Sequence, residues 1–244
     1  MSRFYDKYKK GLYWLEAIKI TKEVHRIGGA DITDARDCAV YLLGLDELVL
    51  IDIGSGPGLQ NLIRNIEVLG FNPADISTMI LTHSHVDHIG GAASFREQFG
   101  THLIMHSLDA EIVERADTRL TAAFCFNIDF QPLMVDTKLY GEKGRLILGG
   151  REVFWLHTPG HTPGSISVYT DIDGRRVLFP QDIAAPLLKE FDCDPAAWKE
   201  SINKLFALDA DIICDGHSGV YRPKSVVKEC LEYCMAYQRQ MGYI

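Results

Sequence analysis

Apolar and polar positions along this chain follow two different periods. Short apolar runs bounded by glycine, proline or charged residues predict buried strands. In the first half of the chain these runs are 38–43, 48–52, 78–81 and 102–106. In the second half they are 145–148, 153–156, 166–169, 177–179 and 211–214.

Between the strands, apolar residues at helical spacing predict helices. The first such set is Leu59, Leu62, Ile63, Ile66 and Leu69. Further helices are expected at about 88–99, from 195 behind an aspartate cap at 194, and from about 223 to the end. Strands meeting in the middle with helices in both halves predict an α/β fold, a four-layer αββα sandwich.

The segment 116–140 fits this scheme least well, because its apolar residues have no regular period. One interpretation is a helical insertion, an extra helix pair packed on the body of the protein. The other is a cover over an active site that supplies an apolar wall for the substrate. No repeat or linker-like stretch divides the chain, so residues 1–244 are expected to form one domain.

Composition narrows the class of partner. The formal net charge of the 244 residues is -8, which argues against a nucleic-acid partner, since such proteins favour a basic surface. There is no apolar run long enough to span a membrane and no apolar core of a signal peptide, so a cytoplasmic protein without a membrane partner is expected. The six cysteines form no C-x-x-C pair, which indicates free thiols rather than a zinc ribbon.

Aromatic residues are frequent at the amino terminus. They are Phe4, Tyr5, Tyr8, Tyr13 and Trp14. One interpretation is packing onto the surface of their own domain. The other is a homodimer contact or a contribution to the pocket of another subunit.

The most informative motif is the stretch 82–91, where four metal-binding side chains fall within six residues. They are His83, His85, Asp87 and His88, and they directly follow a predicted buried strand. Such a group is costly to bury unless a cation is shared among its members. In an extended stretch His83 and His85 point the same way and can bind one ion, which leaves Asp87 and His88 for a second. Zinc is the expected divalent metal, with iron or manganese as alternatives.

Three later strand ends carry further candidate ligands. His161 lies in the turn 158–165, Asp182 follows one strand, and His217 follows another. Each position is ordinary when taken alone, but strand ends are where a scaffold can direct loops toward one point. His157 lies four residues before His161 and is a weaker candidate for the rim of such a site.

Together these motifs resemble those of the metallo-β-lactamase-fold superfamily, and the resemblance covers nearly the whole chain. Asp52 in the stretch 51–54 resembles the early Asp-x-Gly motif of that family. The resemblance implies that one ion is held by His83, His85 and His161, and a second by Asp87, His88 and His217. It further implies that Asp182 bridges the two ions and that Asp52 orients the ligand loop.

The activity implied by this resemblance is hydrolysis. A hydroxide shared by two metal ions would attack the carbonyl of an ester, thioester or lactone in a small-molecule substrate. Asp87 would serve both as a ligand and as the base that orients the hydroxide and takes its proton.

Several alternatives remain within and outside this activity. Gln181 stands where glyoxalase II-type thioesterases usually have glycine, and Ala185 stands where lactonases of this fold have tyrosine. A mononuclear iron oxidoreductase similar to persulfide dioxygenases would keep Asp87 and His88 without using them as ligands. A non-catalytic scaffold would be expected to have a degraded ligand set, whereas all seven positions are intact.

Overall fold

The computed structural model describes residues 17–244 and contains two mixed β-sheets with helices on their outer faces. The first sheet has seven strands in the order β1 to β7. These are Ile18–Lys19, Val24–Gly28, Val40–Gly44, Leu48–Ile51, Ile76–Ile80, His102–His106 and Thr137–Leu139. The amino-terminal aromatic residues considered as a dimer contact lie outside the described range.

The second sheet has six strands in the order β13-β12-β11-β10-β9-β8. In chain order, β8 to β13 are Lys143–Leu148, Arg151–His157, Ile166–Ile172, Arg175–Gln181, Ile212–Asp215 and Val220–Tyr221. Strands β4 to β7 pair in parallel, and so do β11 and β12. The parallel pairs are important for the site because their carboxyl ends open onto the same edge of each sheet.

In the described part of the chain, seven α-helices and two short 3₁₀ helices connect the strands. Helices α1 to α7 are Leu59–Val68, Val86–Ile89, Ala92–Phe99, Ser107–Glu114, Ala123–Phe126, Pro195–Ala207 and Lys224–Gln240. The 3₁₀ helices are Pro73–Asp75 and Lys189–Phe191. Within residues 17–244, every helix is too short or too polar to cross a membrane.

The period-two pattern of the strands creates three apolar layers. In β4, Val49 faces the second sheet, whereas its neighbour Leu50 faces the helices outside the first sheet. Between the sheets, the rings of Tyr41 and Phe179 meet edge to face with centroids 5.3 Å apart. The predicted αββα sandwich is therefore confirmed.

The predicted start of helix α6 also agrees with the structure. The side chain of Asp194 accepts the backbone N–H groups of Ala196 and Ala197 at 2.9 and 3.0 Å. An aspartate at this position satisfies two amides that have no partner inside the helix. The helix then buries Trp198 and Ile202 against the outer face of the second sheet.

The helix predicted at about 88–99 differs from the observed structure, which has two helices, α2 and α3, separated by Gly90 and Gly91. A side chain at Gly90 would collide with the backbone carbonyl of Ser55. This close approach of two backbones after the ligand run requires glycine, and it ends the first helix after one turn.

The segment 116–140 also differs from the predicted helix pair, because it contains only the single turn of α5 before strand β7. Its irregular part buries Phe130, Leu133 and Val135 against the helices outside the first sheet. Side chains packed from an irregular backbone have no fixed period, which explains why no clean pattern was visible. Phe124 remains 59% exposed.

Candidate metal centre

The structure brings all seven candidate ligands to one place at the carboxyl ends of the strands. His83 and His85 follow β5, and Asp87 and His88 lie on α2. The other three follow β9, β11 and β12. The side chains form two groups, His83-His85-His161-Asp182 and Asp87-His88-Asp182-His217. Within each group the potential ligand atoms lie within 4.8 Å of one another, and Asp182 belongs to both.

The first group contains buried imidazole nitrogens that lack a hydrogen-bond partner among the described residues. These are the Nε2 atoms of His83, His85 and His161. Their rings lie with centroids 4.5 to 5.0 Å apart. Buried polar atoms in native proteins are normally paired. Three nitrogens directed at a common point therefore fit a cation that is bound between them.

Burial keeps two of these imidazoles neutral. It lowers the pKa of His83 well below its usual value and lowers the pKa of His85 to about 3. A neutral imidazole has a lone pair free to bind a metal, whereas a protonated one does not. His83 and His85 can thus bind a cation at neutral pH without losing a proton.

The second group is held together by contacts between carboxylates and imidazoles. The Nε2 atom of His217 lies 3.2 Å from an oxygen of Asp87 and 3.2 Å from an oxygen of Asp182. The Nε2 atom of His88 lies 3.2 Å from the other oxygen of Asp182. The side chain of His217 is 46% exposed, whereas those of Asp87 and Asp182 are 9% and 6% exposed, so solvent reaches the site from the His217 side.

The charges in this group shift the pKa values in opposite directions. Asp182 raises the pKa of His217 to about 10, although burial opposes the rise. Burial would raise the pKa of Asp182, but the charges of His217 and His88 hold it well below its usual value. Protons on imidazoles thus compensate the carboxylates, and a divalent cation could take their place.

Asp52 orients His88 from behind. Its Oδ2 atom lies 2.7 Å from Nδ1 of His88 and accepts the hydroxyl of Thr82 at 2.8 Å. Its Oδ1 atom accepts the backbone N–H of Thr82 at 2.8 Å. With Nδ1 held in this way, Nε2 of His88 faces the second group.

Asp87 does not act as the cap of helix α2. The residue at the cap position of α2 is His85, and Asp87 lies within the first turn. Its carboxylate instead faces His88 and His217, at 3.6 and 3.2 Å.

Asp109 is a residue that the sequence analysis missed. It is fully buried in the first turn of α4, and its oxygens accept the backbone N–H groups of Ser84 and Gly164 at 2.8 and 2.6 Å. It also accepts the hydroxyl of Thr162 at 2.6 Å. One carboxylate therefore joins the His83–His85 stretch to the turn that carries His161. The available signal was its position three residues after the end of strand β6.

His157, the weaker candidate, does not belong to either group. Its ring stacks on that of His106 with centroids 4.2 Å apart, and its Nε2 atom lies 2.8 Å from the carbonyl oxygen of Pro163. The contact with Pro163 supports the turn that carries His161 without adding a ligand.

Comparison with known proteins agrees with this geometry. The family model of the metallo-beta-lactamase superfamily matches residues 33–217. The hydroxyacylglutathione hydrolase GloC of Haemophilus influenzae is 30% identical over 140 residues, which are 57% of this chain and 62% of that protein. An N-acyl homoserine lactonase from a Bacillus species is 26% identical over 121 residues, 49% of this chain and 43% of the lactonase. The chain thus spans less than two thirds of the length of either relative.

Among solved structures, the subclass B3 metallo-beta-lactamase BJP-1 of Bradyrhizobium japonicum superposes with a TM-score of 0.75 at 23% identity. The superposition covers 96% of this chain and 95% of that protein, which supports the fold alone. With the match over residues 33–217, the chain belongs to the metallo-beta-lactamase superfamily, and its two ligand groups could hold metal ions.

Proposed function

We propose that this protein hydrolyses an ester, thioester or lactone bond of a small molecule with two divalent metal ions, zinc being the expected metal. The observation that carries the proposal is the pair of adjacent ligand groups that share Asp182. Two ions held in adjacent groups would suit displacement at a carbonyl carbon. One ion can stabilise the attacking oxygen and the other the leaving oxygen or sulfur.

The residues would divide between the ions as the two groups divide in space. One ion would be held by His83, His85 and His161, the other by Asp87, His88 and His217, with Asp182 shared. When bound, such ions lower the pKa of a water molecule toward ~7 and polarise a carbonyl group. The protein contributes the positions of the ligands and the partly closed surroundings.

Asp87 is the residue best placed to accept a proton during the reaction. Its carboxylate faces the centre of the site and is largely shielded from bulk water. A general base must lie within hydrogen-bond reach of the proton that it removes. His217 lies at the open side, where the substrate would enter.

An apolar wall beside His85 supports a substrate with an apolar acyl group. The ring of Phe191 meets the ring of His85 edge to face with centroids 5.5 Å apart. The ring of Phe124, from the segment 116–140, has its centroid 6.1 Å from that of Phe191. Arg119 connects the same two segments through a bidentate pair with Asp192 at 2.9 and 3.0 Å. We assign to 116–140 the substrate-wall role that was one of its two interpretations.

The names of the relatives support the same type of bond. One is named for a hydroxyacyl conjugate of glutathione and another for an N-acyl lactone. Both substrates present a carbonyl carbon to the attacking water. Gln181 differs from the glycine of glyoxalase II-type thioesterases, and Ala185 differs from the tyrosine of lactonases of this fold. A substrate panel therefore has to distinguish an open-chain acyl group from a lactone.

The experiment combines metal analysis with a substrate panel. Purified protein should contain about two metal equivalents and should hydrolyse carboxylic esters, thioesters or lactones, and Asp87→Asn should abolish the activity. Asp173→Asn, in a surface turn at φ 51 where asparagine is well tolerated, is the matched control and should remain active. Full activity of the metal-stripped protein would overturn the proposal. One iron equivalent with oxygen uptake on a glutathione persulfide would favour the oxidoreductase alternative.

A further inference from the structure

Gln181, directly before the shared ligand Asp182, has a backbone conformation that glutamine rarely adopts. Its φ angle is 52°, in the left-handed region that favours glycine. Strain of this kind persists only where the surrounding structure enforces it, and it is frequent at functional sites.

The amide nitrogen of Gln181 contacts Asp52. The residue is 2% exposed, and its Nε2 atom donates a hydrogen bond to Oδ2 of Asp52 at 2.6 Å. The same oxygen lies 2.7 Å from Nδ1 of His88. Gln181 and His88 therefore share one acceptor atom, so the glutamine helps to fix the oxygen that orients the His88 ring.

The carbonyl oxygen of Gln181 lies on the side of the second ligand group. Its Oε1 atom is buried and has no hydrogen-bond partner among the described residues. A side chain at Gly216 would lie 2.9 Å from this oxygen, 2.5 Å from Oδ1 of Asp182 and 3.3 Å from Cε1 of His88. One end of the amide thus holds Asp52, and the other is an unpaired acceptor next to Asp182 and His88.

We propose that Gln181 is a positioning residue for the second metal ion. Its amide holds Asp52 against His88, so that Nε2 of His88 faces the second ligand group. The inference rests on the metal centre proposed above. It goes further by assigning Gln181 a selective effect on one of the two ions. Gln181 shares Oδ2 of Asp52 directly with His88, whereas Asp52 reaches the first group only through Thr82, whose hydroxyl lies 3.2 Å from Nδ1 of His83.

Stepwise metal titration tests the role of the amide. Gln181→Met keeps the length of the side chain and removes its hydrogen bonds, and Gln181→Gly suits the backbone but also lacks the amide. Apoprotein of each variant is titrated with zinc against a chromophoric chelator, which yields two dissociation constants. We expect both variants to bind one of the two ions about 10- to 100-fold more weakly, the usual effect of losing an outer hydrogen bond to a ligand. The other ion should be bound within about twofold of the wild-type affinity.

Gln98→Met, the same exchange at an exposed position on α3, is the matched control and should bind both ions like the wild type. Wild-type affinities in Gln181→Met for both ions would overturn the inference. If Gln181→Gly binds both ions with wild-type affinity and Gln181→Met does not, the inference is also overturned. The backbone conformation at this position, and not the amide, would then determine the affinity. If Gln181→Met fails to fold by circular dichroism, the glycine variant decides. A wild-type protein that binds no zinc would instead disprove the metal centre.

Discussion

Asp109 accepts the hydroxyl of Thr162 at 2.6 Å, and through this bond helix α4 holds the turn that carries His161. The same oxygen accepts the backbone N–H of Ser84, which lies between two candidate ligands. Two loops that are far apart in sequence are thus fixed to one buried carboxylate. Their relative position determines whether His83, His85 and His161 can reach a common ion.

Asp109→Asn should therefore impair both stability and metal binding. An asparagine side chain has only one acceptor oxygen, so at least one buried donor loses its partner, which costs about 1–3 kcal/mol. Thermal or urea unfolding of the apoprotein measures this loss. Because the two loops separate, zinc binding to the first ligand group should weaken as well.

Asp129→Asn, an exposed exchange in the irregular segment, is the control and should change the free energy of unfolding by less than about 0.5 kcal/mol. A stable Asp109→Asn protein with normal zinc affinity would show that the two loops keep their positions without this carboxylate.

The sequence predicted the strands well because buried strands must be continuous apolar runs wherever both faces are covered. Val49 and Leu50 illustrate this: one faces the second sheet and the other faces the helices, so neither position can be polar. Strands β1, β2, β7 and β13 were not predicted. In β2, His25 and Arg26 interrupt the apolar pattern. Of the two interpretations of segment 116–140, the helix pair was wrong, because side chains that pack from an irregular backbone have no period.

The ligands were predictable because their chemistry is unusual for a protein interior, and each lies at a strand end. Asp109 and Gln181 were not predicted to support the site, since their roles depend on contacts between residues far apart in sequence. Asp109 meets Thr162 across 53 positions, and Gln181 meets Asp52 across 129. A single sequence contains no record of such pairs.

Zinc binding to the apoprotein should release protons at pH 7. Burial lowers the pKa of His161, but Asp182 and Cys193 outweigh it and raise the pKa to about 9, and that of His217 is raised to about 10. Both imidazoles are therefore protonated at pH 7 and must lose their protons to bind a metal. Zinc affinity should rise by about tenfold per pH unit for each displaced proton between pH 7 and these pKa values.

The stability of the apoprotein should change in the opposite direction. Both folded-state pKa values lie above the unfolded value of 6.5, so the stabilisation from these charged imidazoles is complete below about pH 6.5. It is lost as the pH rises through about 9 to 10.

For the proton release on zinc binding, calorimetry in buffers of different ionisation enthalpy counts the released protons, and His217→Asn should lower the count by about one. Zinc binding without proton release would contradict the charge states assigned to both residues.

The aromatic wall should determine which acyl groups are accepted. Phe191 lies against His85, and Phe124 lies against Phe191, so an apolar acyl chain bound at the metal centre would contact both rings. We expect the wild type to favour long-chain over short-chain esters, since each buried methylene contributes about 0.8 kcal/mol. Phe191→Ala and Phe124→Ala should reduce this preference through KM, with activity on acetate esters nearly unchanged.

Tyr233→Ala, which removes an exposed aromatic ring from helix α7, is the matched control and should keep the wild-type preference. Arg119→Ala should show a weaker form of the same effect, because its pair with Asp192 holds the two segments together at the surface. If both phenylalanine variants retain the full chain-length preference, the acyl group does not bind against these rings. The open side of the site, next to His217, is then the expected binding position. Calorimetry on zinc-loaded protein can compare the binding of octanoate with that of acetate without turnover. This measurement tests the acyl-binding role of the two phenylalanines independently of the proposed hydrolysis.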